Sequence, residues 1–496
     1  MPRLRRAGLA AALGALSALG QAPLSLWPLT VLGLALLYAM LRETVGWRRA
    51  AWLGGAAGSG YFAVALSWIV EPFLVDIARH GWMAPFALLF LSAGMGLFWA
   101  GAFAGARALG GGAAAWMAAG GVAEAIRGRL FTGFPWAQTG HAWIDTPMLH
   151  WSSLGGALGL SLLMLGAAAA LWHLVAGPSR GWAGMALAAV LGLLVGGAAL
   201  RPAVQADDTV PVVRLVQPNA AQHEKWDPDK VQIFFDRQMA YSNAMGDMGL
   251  PDLIVWPETA IPVLLNNAEP TLRAIAKAAR EVPVVLGLRR YDGARIFNSL
   301  VLLDEAGGVA SLYDKHHLVP FGEFIPFGHV LGRLGIRGLA AETGDGFSAG
   351  PGAQVIGLGD LGRAIPLICY EGVFARNITR APARPDVLLL ITNDAWFGKV
   401  SGPYQHLAQA RLRSAEQGLP MIRVANTGVS AMIDAAGRVT AEIPLGQAGW
   451  LDAPLPPPLP PTIYARTGDS PAIGVALLLL ALSFLRNRPR ARSDSD

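Results

Sequence analysis

Apolar residues in this chain are segregated, and that segregation limits what it can become. Residues 1–200 run as apolar segments broken by charge, proline or glycine, and a last apolar run covers Pro471–Leu485. Between them, residues 208–453 hold most of the acidic side chains and all five lysines. A helix needs roughly 20 apolar residues to cross about 30 Å of hydrocarbon. The segments near 7–22, 25–41, 51–69, 84–106, 111–127, 150–175, 181–200 and 471–485 are therefore expected as eight helical spans. The shorter ones must extend into flanking residues or pack inside the bundle.

Composition agrees: 53% of the 496 residues are hydrophobic and 15% charged, against about 25% charged in soluble domains. The chain cannot be wholly soluble. Its net charge of +5 comes mostly from arginines at the ends of apolar stretches, whereas a nucleic-acid surface clusters its basic residues on one folded face. No nucleic-acid partner is expected. The first segment, after Arg3, Arg5 and Arg6, has the form of a secretory signal. A second apolar span follows almost at once with no Ala-x-Ala site separating the two, so an uncleaved hairpin is the expectation.

The arginines orient the spans, because cytoplasmic loops carry the positive excess. An inside N-terminus puts Arg42, Arg48, Arg49, Arg107 and Arg180 inside, together with Arg486, Arg488, Arg490 and Arg492. The polar block then lies outside and both termini are cytoplasmic. Arg127 and Arg129 break the pattern and call for a lipid headgroup or a carboxylate partner such as Glu124. The domain boundaries expected are 1–205 for seven spans, 206–453 for the outer domain, 454–470 for a proline-rich connector, and 471–496 for the last span and basic tail.

Within the outer block, β-rich runs alternate with amphipathic stretches. The runs are Val210–Val216, Leu253–Trp256, Val282–Leu288, Ser299–Leu303, Ala364–Ile368, Val387–Thr392, Met421–Ala425 and Ser430–Asp434. The amphipathic stretches include Val231–Met245, Thr271–Arg280 and Tyr404–Gln417. Strands interleaved with helices predict a layered α/β domain, and about 245 residues suffice for a full core.

Chemistry concentrates at the ends of three runs. Ala364–Ile368 delivers the only cysteine, Cys369, to the point where polar residues begin. Leu253–Trp256 is followed by Pro257 and Glu258, and Pro257 forbids a regular central strand there. Lys315 sits in the dense stretch Tyr313–Glu323. Singly, each has a structural reading: core thiol, helix-start carboxylate, surface charge. Together they are the parts of an acyl-transfer site: a nucleophile favoured by a nearby cation, a general base and a fixed positive donor for an oxyanion. Glu323 and Glu371 lie close enough in sequence to hold Lys315 and tune the thiol, or to close loops as ion pairs.

Other chemistries lack their signatures. One cysteine excludes a CxxC metal or redox motif and any intrachain disulfide. His316 and His317 are adjacent and face opposite ways on an extended segment. No glycine-rich phosphate loop of the P-loop or dinucleotide-binding type precedes a helix in the outer domain.

Trp256-Pro-Glu258, Lys315 within Tyr-x-Lys-x-His-Leu-Val-Pro-Phe-Gly-Glu, and Ile368-Cys-Tyr-Glu371 resemble the signatures of the nitrilase, or carbon–nitrogen hydrolase, superfamily. With the membrane spans, and with Gly133-Phe-Pro-Trp136, Gln217-Pro-Asn219, Asn393-Asp-Ala-Trp-Phe-Gly398 and Arg423-x-x-Asn426-Thr-Gly428, the resemblance narrows to the apolipoprotein N-acyltransferase family. It implies an αββα sandwich for the outer domain, standing on the periplasmic side of a bacterial inner membrane. It also implies a ping-pong reaction in which a phospholipid, typically phosphatidylethanolamine, acylates Cys369, and the amine of a diacylated apolipoprotein takes the acyl chain. Carried over, Glu258 is the base, Lys315 the oxyanion stabiliser and Cys369 the nucleophile. Glu323 and Glu371 are supporting carboxylates, and Trp226 and Tyr370 contact lipid or loops. Neither metal nor cofactor is implied, and a monomer is expected. Phe321, Phe324, Ile325 and Phe327 read either as a lid or as core. A membrane-tethered amidase shares the triad, and a lipid-binding or transport scaffold shares the spans. The membrane-part motifs disfavour the first, and spans nearly free of charge disfavour the second.

Overall fold

The computed structural model describes residues 3–199, 210–326 and 346–487; Phe327, Arg488, Arg490 and Arg492 lie outside them. Packing divides the chain into two compact units. One contains Met1–Val70, Met83–Arg201 and Thr467–Asp496; the other contains Glu71–Trp82 and Pro202–Arg466. Sequence reading left Glu71–Trp82 between two spans.

In the first unit, helices stand at each expected span: Arg3–Ala18, Trp27–Glu43, Trp47–Ala65, Ala84–Ala108, Ala113–Arg127, Ser152–Val175, Arg180–Ala199 and Ser470–Arg486. Among the described residues, three helical stretches, Ile77–Ala108, Pro147–Val175 and Arg180–Ala199, are long and apolar enough to cross a membrane. Trp47–Ala65 with the bent segment after it makes a fourth. The others fall short by length. Arg3–Ala18 has 16 residues and Ala113–Arg127 has 15, which at 1.5 Å per residue is roughly 22–24 Å.

Small residues set the helix spacing. A Cβ on Gly14 would come within 1.9 Å of the Ala57 carbonyl oxygen, and one on Gly60 within 2.0 Å of that of Ala11. Only glycine allows backbones this close, which is how apolar helices pack where burial from water gives no drive. The two discordant arginines are paired. Arg127 Nη2 meets Glu124 Oε2 at 2.5 Å, and its Nη1 donates to the carbonyls of Phe134 and Trp136, each at 2.6 Å. The Gly133–Trp136 motif thus returns the chain over a guanidinium that collects its carbonyls. Arg129 pairs with Asp469.

The second unit contains two six-stranded sheets. The strands are β1 (Val212–Gln217), β2 (Leu253–Val255), β3 (Val284–Asp292), β4 (Arg295–Leu303), β5 (Val309–Asp314), β6 (Ile356–Gly357), β7 (Arg363–Ile368), β8 (Val387–Thr392), β9 (Met421–Ala425), β10 (Ser430–Ile433), β11 (Val439–Ile443) and β12 (Gly449–Pro454). One sheet has the order β12-β1-β2-β3-β4-β5 and the other β11-β10-β9-β8-β7-β6. In each, three strands run parallel, β1-β2-β3 and β7-β8-β9, and antiparallel strands flank them. The facing sides share one apolar core, with Leu215, Val255, Val285 and Leu300 from the first sheet and Ile368, Leu389, Ile391 and Val424 from the second. The outer side of the first sheet packs on helix Glu269–Ala278 through Leu272 and Ile275. That of the second packs on helix Gly402–Gln417 through Ala410. The architecture is an αββα sandwich. Buried on both sides, the central strands are continuous apolar runs rather than alternating ones.

Candidate active site

Parallel strands aim their C-terminal ends the same way, and the site forms where β2 and β7 end. Cys369 follows β7 directly and opens the 3-10 turn Cys369–Val373. Its φ is +51°, a left-handed conformation that costs a side-chain-bearing residue about 1–2 kcal/mol. Strain of this kind persists only where surroundings over-determine it. Glu371 accepts from the Ile368 N–H at 2.9 Å, and His406 Nε2 lies 3.3 Å from the Cys369 carbonyl oxygen.

Glu258 projects from the turn after β2. Its Oε1 accepts from Asn298 Nδ2 at 2.7 Å and its Oε2 from the Asn393 N–H at 2.8 Å. The turn lies on bare backbone, because a Cβ at Gly287 would sit 2.6 Å from the Thr259 nitrogen. Lys225, buried, clamps it from the other side, its Nζ donating to the Glu258 carbonyl and to Thr259 Oγ1, both at 3.1 Å. Lys315 directly follows β5 and is tied to the neighbouring strand by its N–H on the Asn298 carbonyl at 2.9 Å. Its Nζ lies 2.8 Å from Glu323 Oε1 and 3.8 Å from Glu258 Oε1.

Glu258, Lys315, Glu323 and Cys369 are all buried, and their charges are unequal: two carboxylates face one ammonium. Burial raises the pKa of Glu258; Lys315 pulls it down and Glu323 pushes it up, and the net is a rise. Burial works against the charge on Lys315, but Glu323 and Glu258 outweigh it and hold the ammonium protonated. Burial, reinforced by Glu258, pushes the Cys369 thiol well up despite Lys315. The resting state is thus a thiol beside a carboxylate of raised basicity and a permanent cation. Such a thiol attacks only as its proton is withdrawn; Glu258 first and Asp394 after it are carboxylates that raise it, against Lys315.

Of the two roles the sequence left open for Glu371, holding Lys315 or closing a loop, its bonds correspond to the second. Among the described residues, Glu371 makes no bond to Lys315. It accepts from Tyr313 Oη at 2.9 Å and from the His316 and His317 N–H groups at 2.9 and 3.0 Å. It thereby ties the Lys315 loop to the cysteine turn. Burial opposes its ionisation, but His316 and the Ile368 N–H outweigh this and lower its pKa. Tyr370 is buried against His317 and Phe374. Trp226 is 39% exposed and Phe321 55% exposed. Phe321 has φ +62° in the tight turn Val319–Phe324 that carries Glu323, where its N–H meets the Phe324 carbonyl at 2.7 Å.

Sequence reasoning missed Asn298, Lys225 and a second buried cluster. Asp394 accepts from Arg423 Nη2 at 2.6 Å and from Thr392 Oγ1 at 2.8 Å, and lies 2.9 Å from His406 Nδ1. Burial would raise Asp394, yet Arg423 and His406 hold it well below the carboxylate range. His406 thus links a fixed anion to the backbone of the cysteine turn. Asp394 and Arg423 belong to the Asn393–Gly398 and Arg423–Gly428 motifs, so both signals were present; their pairing, and His406 beside them, was not visible.

Residues 213–459 match the family described as Carbon-nitrogen hydrolase, and residues 13–170 match the Apolipoprotein N-acyltransferase N-terminal domain. The chain is 37% identical to an apolipoprotein N-acyltransferase of Rhodopseudomonas palustris, covering 98% of this chain and 96% of that one. It is 37% identical to that of Brucella melitensis, covering 90% and 85%, and 39% identical to that of Rhizobium rhizogenes, covering 81% and 79%. The chain belongs to the apolipoprotein N-acyltransferase family. As a member of that family it is an acyltransferase, and its αββα unit is the carbon–nitrogen hydrolase part. The helical unit contains the stretch matched by the family's N-terminal domain apart from Glu71–Trp82.

Proposed function

We propose that this enzyme moves an acyl chain from a phospholipid, phosphatidylethanolamine foremost, to the α-amine of a diacylglyceryl-cysteine at an apolipoprotein N-terminus. Glu258 takes the thiol proton as Cys369 Sγ attacks the ester carbonyl, and Lys315 faces the oxyanion that forms. The carbon–oxygen bond then breaks. The departing alkoxide receives the proton from Glu258 and leaves as lysophospholipid, with the acyl group held as a thioester. In the second half-reaction the amine attacks the thioester carbonyl and gives a proton to Glu258. The carbon–sulfur bond breaks and the proton returns to sulfur.

Glu323 holds the ammonium, while Glu371 and His406 hold the strained cysteine turn. Trp226 and Phe321 present the apolar surface that an acyl chain requires. The enzyme works as a monomer in the bacterial inner membrane, its helices crossing eight times, with the catalytic unit periplasmic and both termini cytoplasmic. Supporting this reading above all is one observation: a thiol, an ammonium and two carboxylates are buried together in a chain of this family. Burial also shields a thioester from water.

Intact-mass spectrometry of the purified enzyme with phospholipid tests it. A hydroxylamine-sensitive acyl adduct on Cys369, discharged by a diacylated lipopeptide into a triacylated product, is the expected result. The Cys369→Ala variant is expected to form neither. Full activity in that variant, or no adduct on active enzyme, would overturn the mechanism.

A further inference from the structure

Strand β3 ends in two consecutive arginines, and the alternation of a strand sends them to opposite faces. Arg290 pairs across the sheet with Phe297 and closes on Asp314, Nε to Oδ1 at 2.8 Å. Arg289 pairs across the sheet with Asn298, and residues directly opposite share a face. Asn298 is the residue that donates to Glu258, so Arg289 stands on the catalytic face. Gly287, two residues earlier on that face, is the backbone on which the Glu258 turn rests.

The surroundings of Arg289 are unusual for a half-buried cation. Its guanidinium carbon is 5.3 Å from the centre of the Trp226 ring. The Lys225 ammonium is 5.2 Å from the centre of the same ring. Among the described residues, Arg289 has no carboxylate and no hydrogen-bond acceptor, whereas its neighbour Arg290 has both in Asp314. Two like charges against one partly exposed indole, with no acid between them, repel each other. Lys225 shows this: burial, together with Arg289, lowers its pKa to about 8 even though Glu258 opposes the shift. An arrangement of this kind is relieved by an anion. A planar guanidinium with free N–H groups fits a tetrahedral oxyanion in two-point fashion.

We propose that Arg289, with Trp226 and Lys225 beside it, is the subsite for the phosphodiester of the acyl donor. The inference rests on the reading that the donor is a phospholipid. Anchored there, a glycerophospholipid carries its phosphate on one side of Glu258 while an ester carbonyl reaches the thiol.

The test compares two donors of the same acyl chain, phosphatidylethanolamine and a phosphate-free 4-nitrophenyl ester, in detergent micelles. Cys369 acylation is followed by intact mass against donor concentration. Arg289→Gln is expected to raise the half-saturating phospholipid concentration roughly tenfold or more, the scale of a lost hydrogen bond to a charged group. The nitrophenyl ester should show no change, and Arg289→Lys should recover part of the loss. Inorganic phosphate should compete with phospholipid in the wild type and less in Arg289→Gln. If phosphate fails to compete while the donor-specific effect persists, the subsite takes the lipid diester and not free phosphate. Equal losses with both donors, or none with phospholipid, would overturn the subsite. Acylation of wild-type Cys369 by the nitrophenyl ester but never by phospholipid would instead overturn the donor assignment.

Discussion

Two buried charge clusters flank the cysteine, and they differ in one count. The Glu258–Lys315–Glu323 cluster has more carboxylates than lysine ammonium groups. In the Asp394–Arg423–His406 cluster one carboxylate has a guanidinium and an imidazole. Burial pushes both carboxylates up; at Glu258 Lys315 only partly offsets it and Glu323 adds to it, whereas at Asp394 Arg423 and His406 more than offset it. Equal burial therefore yields a proton acceptor in one place and a permanent strut in the other. What decides between them is the local balance of charge, not burial.

The largest expected effect breaks the acceptor. Glu258→Gln keeps the side chain's shape and removes the base, so acylation of Cys369 should slow on the order of 10²–10⁴-fold in a protein that still folds. Single-turnover intact mass measures the first, and a thermal melt checks the second. The opposite outcome is expected across the cysteine. Asp394→Asn leaves Arg423 buried without its anion and should cost about 3–5 kcal/mol of stability, read as a lowered unfolding midpoint. An Asp394→Asn protein that melts normally yet is inactive would show that the strut is not a strut.

Glu323→Gln sharpens the comparison by making the first cluster balanced. Glu258 must be ionised to accept a proton, so activity falls as pH drops through its raised pKa. Removing Glu323 removes a like charge, which lowers that pKa and moves the acid limb of the pH–rate profile to lower pH, by about one unit if Glu258 is stabilised by roughly 1.4 kcal/mol. The smallest effect is expected at His406, a positioning residue. His406→Ala loses one hydrogen bond to the cysteine turn, worth about 0.5–1.5 kcal/mol, or roughly 2–10-fold in alkylation rate of Cys369. His406→Gln, which retains a donor amide, should recover part of it; no difference between the two would remove His406 from the turn's support.

How far the sequence revealed this depended on where each residue lies relative to the core. Central strands β8 and β9 are buried throughout, and β7 is buried from Ala364 onward, so their apolar runs stood out and located Cys369. Edge strands β5, β11 and β12 are partly exposed, carry polar residues, and were passed over. The β3–β4 hairpin extends to Asp292 and Arg295 beyond any apolar signal, which hid Arg289 from view as a strand residue. His406 lay on a helix 37 residues from the cysteine whose carbonyl it meets, and no spacing rule relates them. Arg127 and Arg129 were the reverse case: their discord with the inside rule was visible in sequence, and buried or paired carboxylates account for both.

The β3–β4 hairpin also makes this enzyme sensitive to a kind of change that preserves every amino acid. Because Arg289 and Arg290 are chemically identical, nothing but strand register tells them apart. A one-residue slip exchanges the two faces. Arg290 would then stand over the indole and Arg289 would seek Asp314. The hairpin that ends at Gly293, with φ +60°, therefore works as a ruler: a one-residue shift of its register would rewrite the active-site surface while every residue stayed the same.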